Sequence, residues 1–272
     1  MQGSHIIHRN CPDCRRDNAG NSPHKLSTSD WTVKKCAGCG FVYLEEVPAY
    51  ESLSEERAWE KSSKTEEARR AASQPIQATV SKATRFRLKL PRKHVLDLLA
   101  RYAPDGLVLD IGCGNAGYML QMDPRHQPCG IEISKELAAV GHRNLEGRGG
   151  FVIHASGLEG LRQIPEKNLA AVVMRAYLEH EARPMEVLAE SFRTLKPSGI
   201  LIIKVPNYGS INAFVMGRRW CGVRLPDHMN YFTPASLAGM VARAGYRIER
   251  FDLLSFRQPT SDNMWMVARK AS

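Results

Sequence analysis

The chain has 272 residues and a mass of 30.4 kDa, enough for one large domain with a small appendage. Its composition, 43% hydrophobic and 24% charged, is ordinary for a globular protein; it has no apolar run of about 18 residues to cross a membrane, and its first residues, MQGSHIIHRNCPDC, hold no apolar signal region. A formal net charge of +10 points to an anionic partner, for which nucleic acid, a nucleotide-linked substrate and an anionic membrane surface all qualify.

Two Cys-x-x-Cys pairs come first, Cys11 with Cys14 in CPDC and Cys36 with Cys39 in CAGC, with 21 residues between the pairs. Each pair forms a knuckle that turns two thiolates towards one point, and two knuckles give a closed tetrahedral shell for a structural zinc ion. CGFVYLE then reads as a strand leaving the second knuckle, so residues 1–45 are expected to form a zinc ribbon. Clustered cysteines of this kind stay reduced in the cytoplasm, which is the expected location.

Residues 46–91 are polar and charged, and are expected to form a linker with one or two surface helices. They end in SKATRFRLKLPRK, a basic strip that includes Arg85, Arg87 and Lys89 and reads first as a solvated helix face. HVLDLLARYAP then has the apolar spacing of an amphipathic helix.

From Gly106 onward, apolar strand-like runs alternate with helical ones. LVLDIG precedes NAGYMLQM, PCGIEIS precedes KELAAVGHRN, and GFVIHAS precedes LEGLRQI. AAVVMRA is followed by PMEVLAESFRTLK, then GILIIKVP by PASLAGMVARAG; YRIERFDLL and MWMVARK close the chain with no helix between them. Continuous Val/Ile/Leu strands that alternate with helices predict an α/β, doubly wound Rossmann-like sheet over residues 92–272, with an antiparallel final hairpin. Ligands of such sheets sit outside the carboxyl ends of the strands.

The first strand ends in G-x-G-x-x-G, formed by Gly112, Gly114 and Gly117, two residues after Asp110. This turn serves dinucleotide enzymes and methyltransferases alike. An acid at Asp110 repels a pyrophosphate and suits a ligand that carries its own ammonium group, while Glu132 is placed to accept hydrogen bonds from both ribose hydroxyls.

VLDIGCGNAGYML, CGIEIS, the LEH of VVMRAYLEHEARP, LKPSG and PDHMNYFTPASL together resemble the class I S-adenosylmethionine-dependent methyltransferases, over roughly residues 92–270. The ribbon ahead of this domain is similar to that of bacterial sugar methyltransferases, which are longer. The resemblance implies that Asp110, Gly112, Gly114 and Gly117 hold the methionine part of S-adenosylmethionine, that Glu132 holds the ribose and that Ile133 packs on the adenine. Ser156 stands where the family often has an acid near the adenine amine, and Ala170 where it usually has Asp. Cys113 is expected to be a small residue that fits beside the ligand.

Methyl transfer requires alignment of the acceptor and, for a hydroxyl, a base. His228 and His180 are the expected bases, with Tyr231 and Tyr177 nearby in sequence. Residues 206–232 are too long for an ordinary strand-to-helix connection and should form a lid, with Arg218, Arg219 and Trp220 facing the acceptor. The expected acceptor is a small molecule or a sugar or glycan. An RNA methyltransferase that grips phosphates with ribbon and basic strip, and a non-catalytic cofactor-binding scaffold, are the alternatives.

Overall fold

A computed structural model of the chain describes residues 6–48, 94–252 and 262–271. The basic strip and nearly all of the expected charged linker lie outside the described residues. Four short strands come first: β1 (Ile6–His8), β2 (Val33–Lys35), β3 (Val42–Leu44) and β4 (Glu46–Pro48). β1 pairs with β4 and β2 with β3, both antiparallel.

A seven-stranded sheet follows. It contains β5 (Gly106–Ile111), β6 (His126–Glu132), β7 (Phe151–His154), β8 (Leu169–Arg175), β9 (Leu195–Pro206), β11 (Tyr246–Asp252) and β12 (Asn263–Lys270), in the order β11-β12-β9-β8-β5-β6-β7. Strands β5 to β9 run parallel, and β12 pairs antiparallel to both β9 and β11. The doubly wound sheet and its antiparallel closing hairpin match the sequence expectation. The middle strands are covered on both sides; six of the seven residues of β8 are buried.

The helices are α1 (His94–Tyr102), α2 (Lys135–Glu146), α3 (Gly157–Arg162), α4 (Pro184–Thr194), α5 (Ile211–Met216) and α6 (Pro234–Arg243). Local chemistry sets their starts. The Ser134 side chain caps α2 by accepting the Leu137 amide at 3.2 Å, and Thr233 with Ser236 forms a reciprocal capping box on α6. NAGYMLQM, expected as a helix, forms only a short 3-10 turn over Gly117–Gln121, because Ala116 just before it takes a left-handed conformation (φ 54°). The fourth helix ends at Thr194, and the Leu195 and Lys196 expected to continue it start β9.

The cysteine-bearing segment is built into this body. Strand β10 (Asn230–Tyr231), from the segment before α6, pairs antiparallel with β3 through Asn230–Tyr43 and Tyr231–Val42. Phe41 and Tyr43 join the core on the α6 face of the sheet, where the Phe41 and Phe232 rings lie 5.3 Å apart. Arg9 donates to the carbonyls of Leu44 (2.8 Å), Ala182 (3.0 Å) and Met229 (2.8 Å), so one guanidinium ties three segments together. Arg243 of α6 pairs with Asp13 beside the first knuckle.

Candidate active site

Asp110 stands one residue before the end of β5, next to the central strand β8, where the chain has to turn. Gly112 (φ 74°) and Gly114 (φ 58°) make that turn in the left-handed region that other residues avoid. Cys113 between them is buried, and its sulfur packs against Gly130, where any added Cβ would lie 2.3 Å away. Burial pushes this thiol far up, so Cys113 stays protonated and fills space, as the sequence suggested.

Asp110 is 1% exposed, and neither of its oxygens has a partner of hydrogen-bond geometry among the described residues; the same holds for the hydroxyl of neighbouring Tyr118. Burial pushes Asp110 up to about 6, against the opposing pull of Arg175, whose guanidinium lies 4.2 Å from the centre of the Tyr118 ring, and of the nearby Tyr118 hydroxyl. A buried carboxylate left in this state is costly unless a cationic donor completes it. Glu132, at the end of β6, accepts from the Gly114 amide (2.8 Å) and the Ser134 amide (2.9 Å). The half-buried Ile133 follows, and the His154 ring holds its carbonyl at 3.0 Å.

Gly117 begins the 3-10 turn, with its amide on the Asn115 side chain at 3.1 Å. Ser156 caps α3: its hydroxyl accepts the Glu159 amide and donates to the Glu159 carboxylate at 2.8 Å. The Ser156 hydroxyl, expected near the adenine, thus also serves as the cap of this helix. The Ser-x-x-Glu spacing was the signal for it.

Beyond β8 the chain makes a short 3-10 turn, Leu178–His180, which the last residues of the lid clamp. The Met229 amide donates to the Glu179 carbonyl (2.8 Å), and the Asn230 side chain donates to the carbonyls of Leu178 (2.9 Å) and Glu181 (2.7 Å). This brings His180 and His228, 48 positions apart in sequence, into edge-to-face contact at 4.7 Å, so the two expected bases share one place. Burial, helped by the Arg224 charge, lowers His180 to about 4, and burial pushes Glu179 up to about 7. Tyr177, at the start of this segment, would lie 3.6 Å from a Cβ on Gly112 and pairs through its hydroxyl with Glu181. Tyr231 is placed differently from the two histidines. Its ring is 3% exposed in an apolar cluster with Leu26, Val42 and Trp220, and its hydroxyl has no partner among the described residues.

The segment expected as a lid folds as α5 and a turn that packs on the cysteine-bearing segment. Trp220, expected to face the acceptor, is 1% exposed and donates from Nε1 to Asp262 at 2.9 Å. Ser210 and Asn212 donate to the other oxygen of the same carboxylate. Trp220 is thus an anchor, while Arg218 and Arg219 are exposed.

A family model described as a methyltransferase domain matches residues 83–250, more than half of the chain. The chain belongs to this methyltransferase family. Solved structures share the fold at low identity. A SAM-dependent methyltransferase from Archaeoglobus fulgidus is 17% identical, with a TM-score of 0.51 over 68% of this chain and 96% of that one. A chain in the complex between the Haloferax volcanii Trm112 methyltransferase activator and a candidate methyltransferase is 18% identical, with a TM-score of 0.54 over 65% and 89%. Among curated proteins the chain has no match.

This is a SAM-dependent methyltransferase, and the buried Asp110 fits its methyl donor, whose ammonium group would supply cationic hydrogen bonds to it. The methyltransferase also carries the four cysteines as a cluster whose ligand atoms all lie within 4.8 Å of one another. Cys11 and Cys39 are 3.6 Å apart and Cys14 and Cys36 3.4 Å, too far for disulfides and near the roughly 3.8 Å between sulfurs on a tetrahedral zinc with bonds of about 2.3 Å. Burial pushes Cys11 up to about 12. At Cys36 burial is outweighed by the Cys39 and Gly38 amides and the nearby Cys14 thiol, which bring it down to about 6. Four thiols this close cannot all ionise without a cation among them, so the donor set fits zinc.

Proposed function

We propose that this methyltransferase acts on a hydroxyl of a small-molecule or sugar-type acceptor held between the cofactor turn and the Glu179–His180–His228 cluster. Asp110 would hold the donor's ammonium group, the Gly112–Gly114 turn its carboxylate, Glu132 the ribose hydroxyls, and Ile133 one adenine face. Gly117 sets the end of the turn. S-adenosylmethionine supplies a methyl group already activated on a sulfonium sulfur; the chain's work is to align the acceptor oxygen and take up its proton.

The observation that carries the acceptor site is the meeting of His180 and His228 one short turn beyond β8, beside Tyr177, which reaches the glycine turn. His180, lowered to about 4, is neutral at pH 7 and a weak base, so His228 is the first candidate to receive the proton. In the same reading Cys11, Cys14, Cys36 and Cys39 hold a structural zinc ion. That site leaves no open position for chemistry and serves to brace the lid through β3 and β10.

The test uses the full chain, methyl-labelled S-adenosylmethionine and three separate acceptor pools: small molecules, glycans and RNA. Label in the small-molecule or glycan pool that His228→Gln removes is expected. Label confined to a nuclease-sensitive pool would make the protein an RNA methyltransferase. No label in any pool, with cofactor binding intact, would favour the scaffold.

A further inference from the structure

The cluster beyond β8 contains more than two candidate bases. Glu179, His180 and His228 each offer one ligand atom, and the three atoms lie within 4.8 Å of one another. Glu179 is 2% exposed, and its Oε2 has no hydrogen-bond partner among the described residues. A carboxylate oxygen so deeply buried asks for a cation or a donor.

Both imidazoles are oriented from behind. His180 Nδ1 lies 2.8 Å from the Asp227 carbonyl, and His228 Nδ1 lies 2.8 Å from the Gly222 carbonyl. A carbonyl only accepts, so each Nδ1 carries the proton and each Nε2 carries the lone pair. Fixing a histidine's tautomer through a backbone carbonyl on its second nitrogen is the usual support for a metal-ligating imidazole. The clamps from Met229 and Asn230 hold the Glu179–His180 turn to the His228 segment, so the three groups meet without requiring an ion to gather them.

We infer that Glu179, His180 and His228 bind one divalent first-row transition ion. Two imidazoles and one carboxylate suit zinc, iron(II) or cobalt(II) better than magnesium or calcium, which prefer all-oxygen shells. Among the described residues, the positive side chains facing the cluster are Arg224, itself paired with Asp227 at 3.5 Å, and Lys204. They disfavour hard cations that are held by charge alone. Three protein ligands leave positions open, in contrast to the closed four-cysteine site, so the ion would take an acceptor oxygen and make its hydroxyl more acidic. This role rests on the acceptor placement proposed above; with His228 as a ligand to the ion, the proton of the ion-bound hydroxyl would leave to water instead of to the imidazole, and the ion binding itself does not depend on that placement.

The experiment is a cobalt(II) titration of the full chain after zinc has saturated the cysteines, with S-adenosylhomocysteine binding measured on the same samples. One further equivalent is expected to bind, with visible d–d absorption and no thiolate charge-transfer band. Glu179→Gln and His228→Gln should each weaken it at least tenfold and leave S-adenosylhomocysteine affinity unchanged. Hyperfine-shifted N–H protons from two imidazoles of the wild-type protein are expected as well, so the result stands even if a variant fails to fold. Saturation without a further equivalent, absence of those two shifted protons, or a further equivalent that both variants retain would overturn the inference. Failure of S-adenosylhomocysteine to bind the wild-type chain would instead count against the cofactor reading.

Discussion

Glu132, at the end of β6, reaches back to accept the Gly114 amide at 2.8 Å, so the residue proposed to hold the ribose also fixes the turn proposed to hold the methionine. The two halves of the cofactor pocket share one carboxylate. Replacing it with an amide turns one acceptor oxygen into a donor that faces the amides of Gly114 or Ser134. Glu132→Gln is therefore expected to weaken S-adenosylhomocysteine binding by one to two orders of magnitude, in line with about 1.5–3 kcal/mol for a hydrogen bond to a charged group. Calorimetry checks this, and a change below about threefold would remove Glu132 from the site.

Asp110 makes stability depend on pH in a direction unusual for a carboxylate. Its folded value of about 6 lies above its ordinary value of 3.8, so the folded state holds the proton more tightly than the unfolded state does. Stability of the ligand-free protein should fall as pH rises from about 4 to 6, by up to about 3 kcal/mol from this residue. Asp110→Asn should remove that part of the slope and raise the melting temperature above pH 6, while weakening cofactor binding. Thermal denaturation across that window decides; the same slope in Asp110→Asn would assign it to another group.

Loss of the zinc ion proposed at the four cysteines should reach beyond the segment that carries them. The Cys36→Ser variant is expected to lose one zinc equivalent by metal analysis and to loosen β3, and with it β10 and the residues that carry His228. Methyl transfer should then fall at least tenfold while S-adenosylhomocysteine still binds, because Asp110 and Glu132 stand on other strands. Equal loss of both functions would mean that the four cysteines support the whole fold.

Tyr231 separates a reacting group from a packing group. With its hydroxyl buried and unpartnered among the described residues, Tyr231→Phe removes an unsatisfied polar atom and keeps the ring. The variant should be as stable as the parent or more so, with kcat within about twofold. A fall of a hundredfold in kcat at unchanged stability would return Tyr231 to the chemistry.

Much of this architecture was legible in the residues because its signals are local. The apolar runs of β5, β8 and β9, the glycine turn with Asp110, the acid closing β6 and the helix-free final pair each declare themselves within about ten residues. The joining of the cysteine-bearing segment to the segment before α6 did not. β10 is two residues long, and its partner β3 lies near the other end of the chain, so no periodicity marks the pairing. Nothing near Trp220 in sequence announces Asp262, its partner just before the last strand. His180 and His228 were each legible as candidates; their meeting depends on Asn230 and Met229 clamping a turn that sequence spacing does not describe. Ser156 is the reverse case: its capping role is declared locally by the Ser-x-x-Glu spacing.

The β3–β10 pairing also sets an order of assembly during synthesis. All four cysteines are made within the first 39 residues, so the knuckles can close early. The open edge of β3 must then wait for a partner roughly 190 residues further along, about 10–40 s at ordinary elongation rates of some 5–20 residues per second. An unpaired edge is a template for the wrong neighbour. Growth conditions that slow elongation, or rare codons between the two strands, should therefore lower the yield of folded protein more than the modest size of the ribbon suggests.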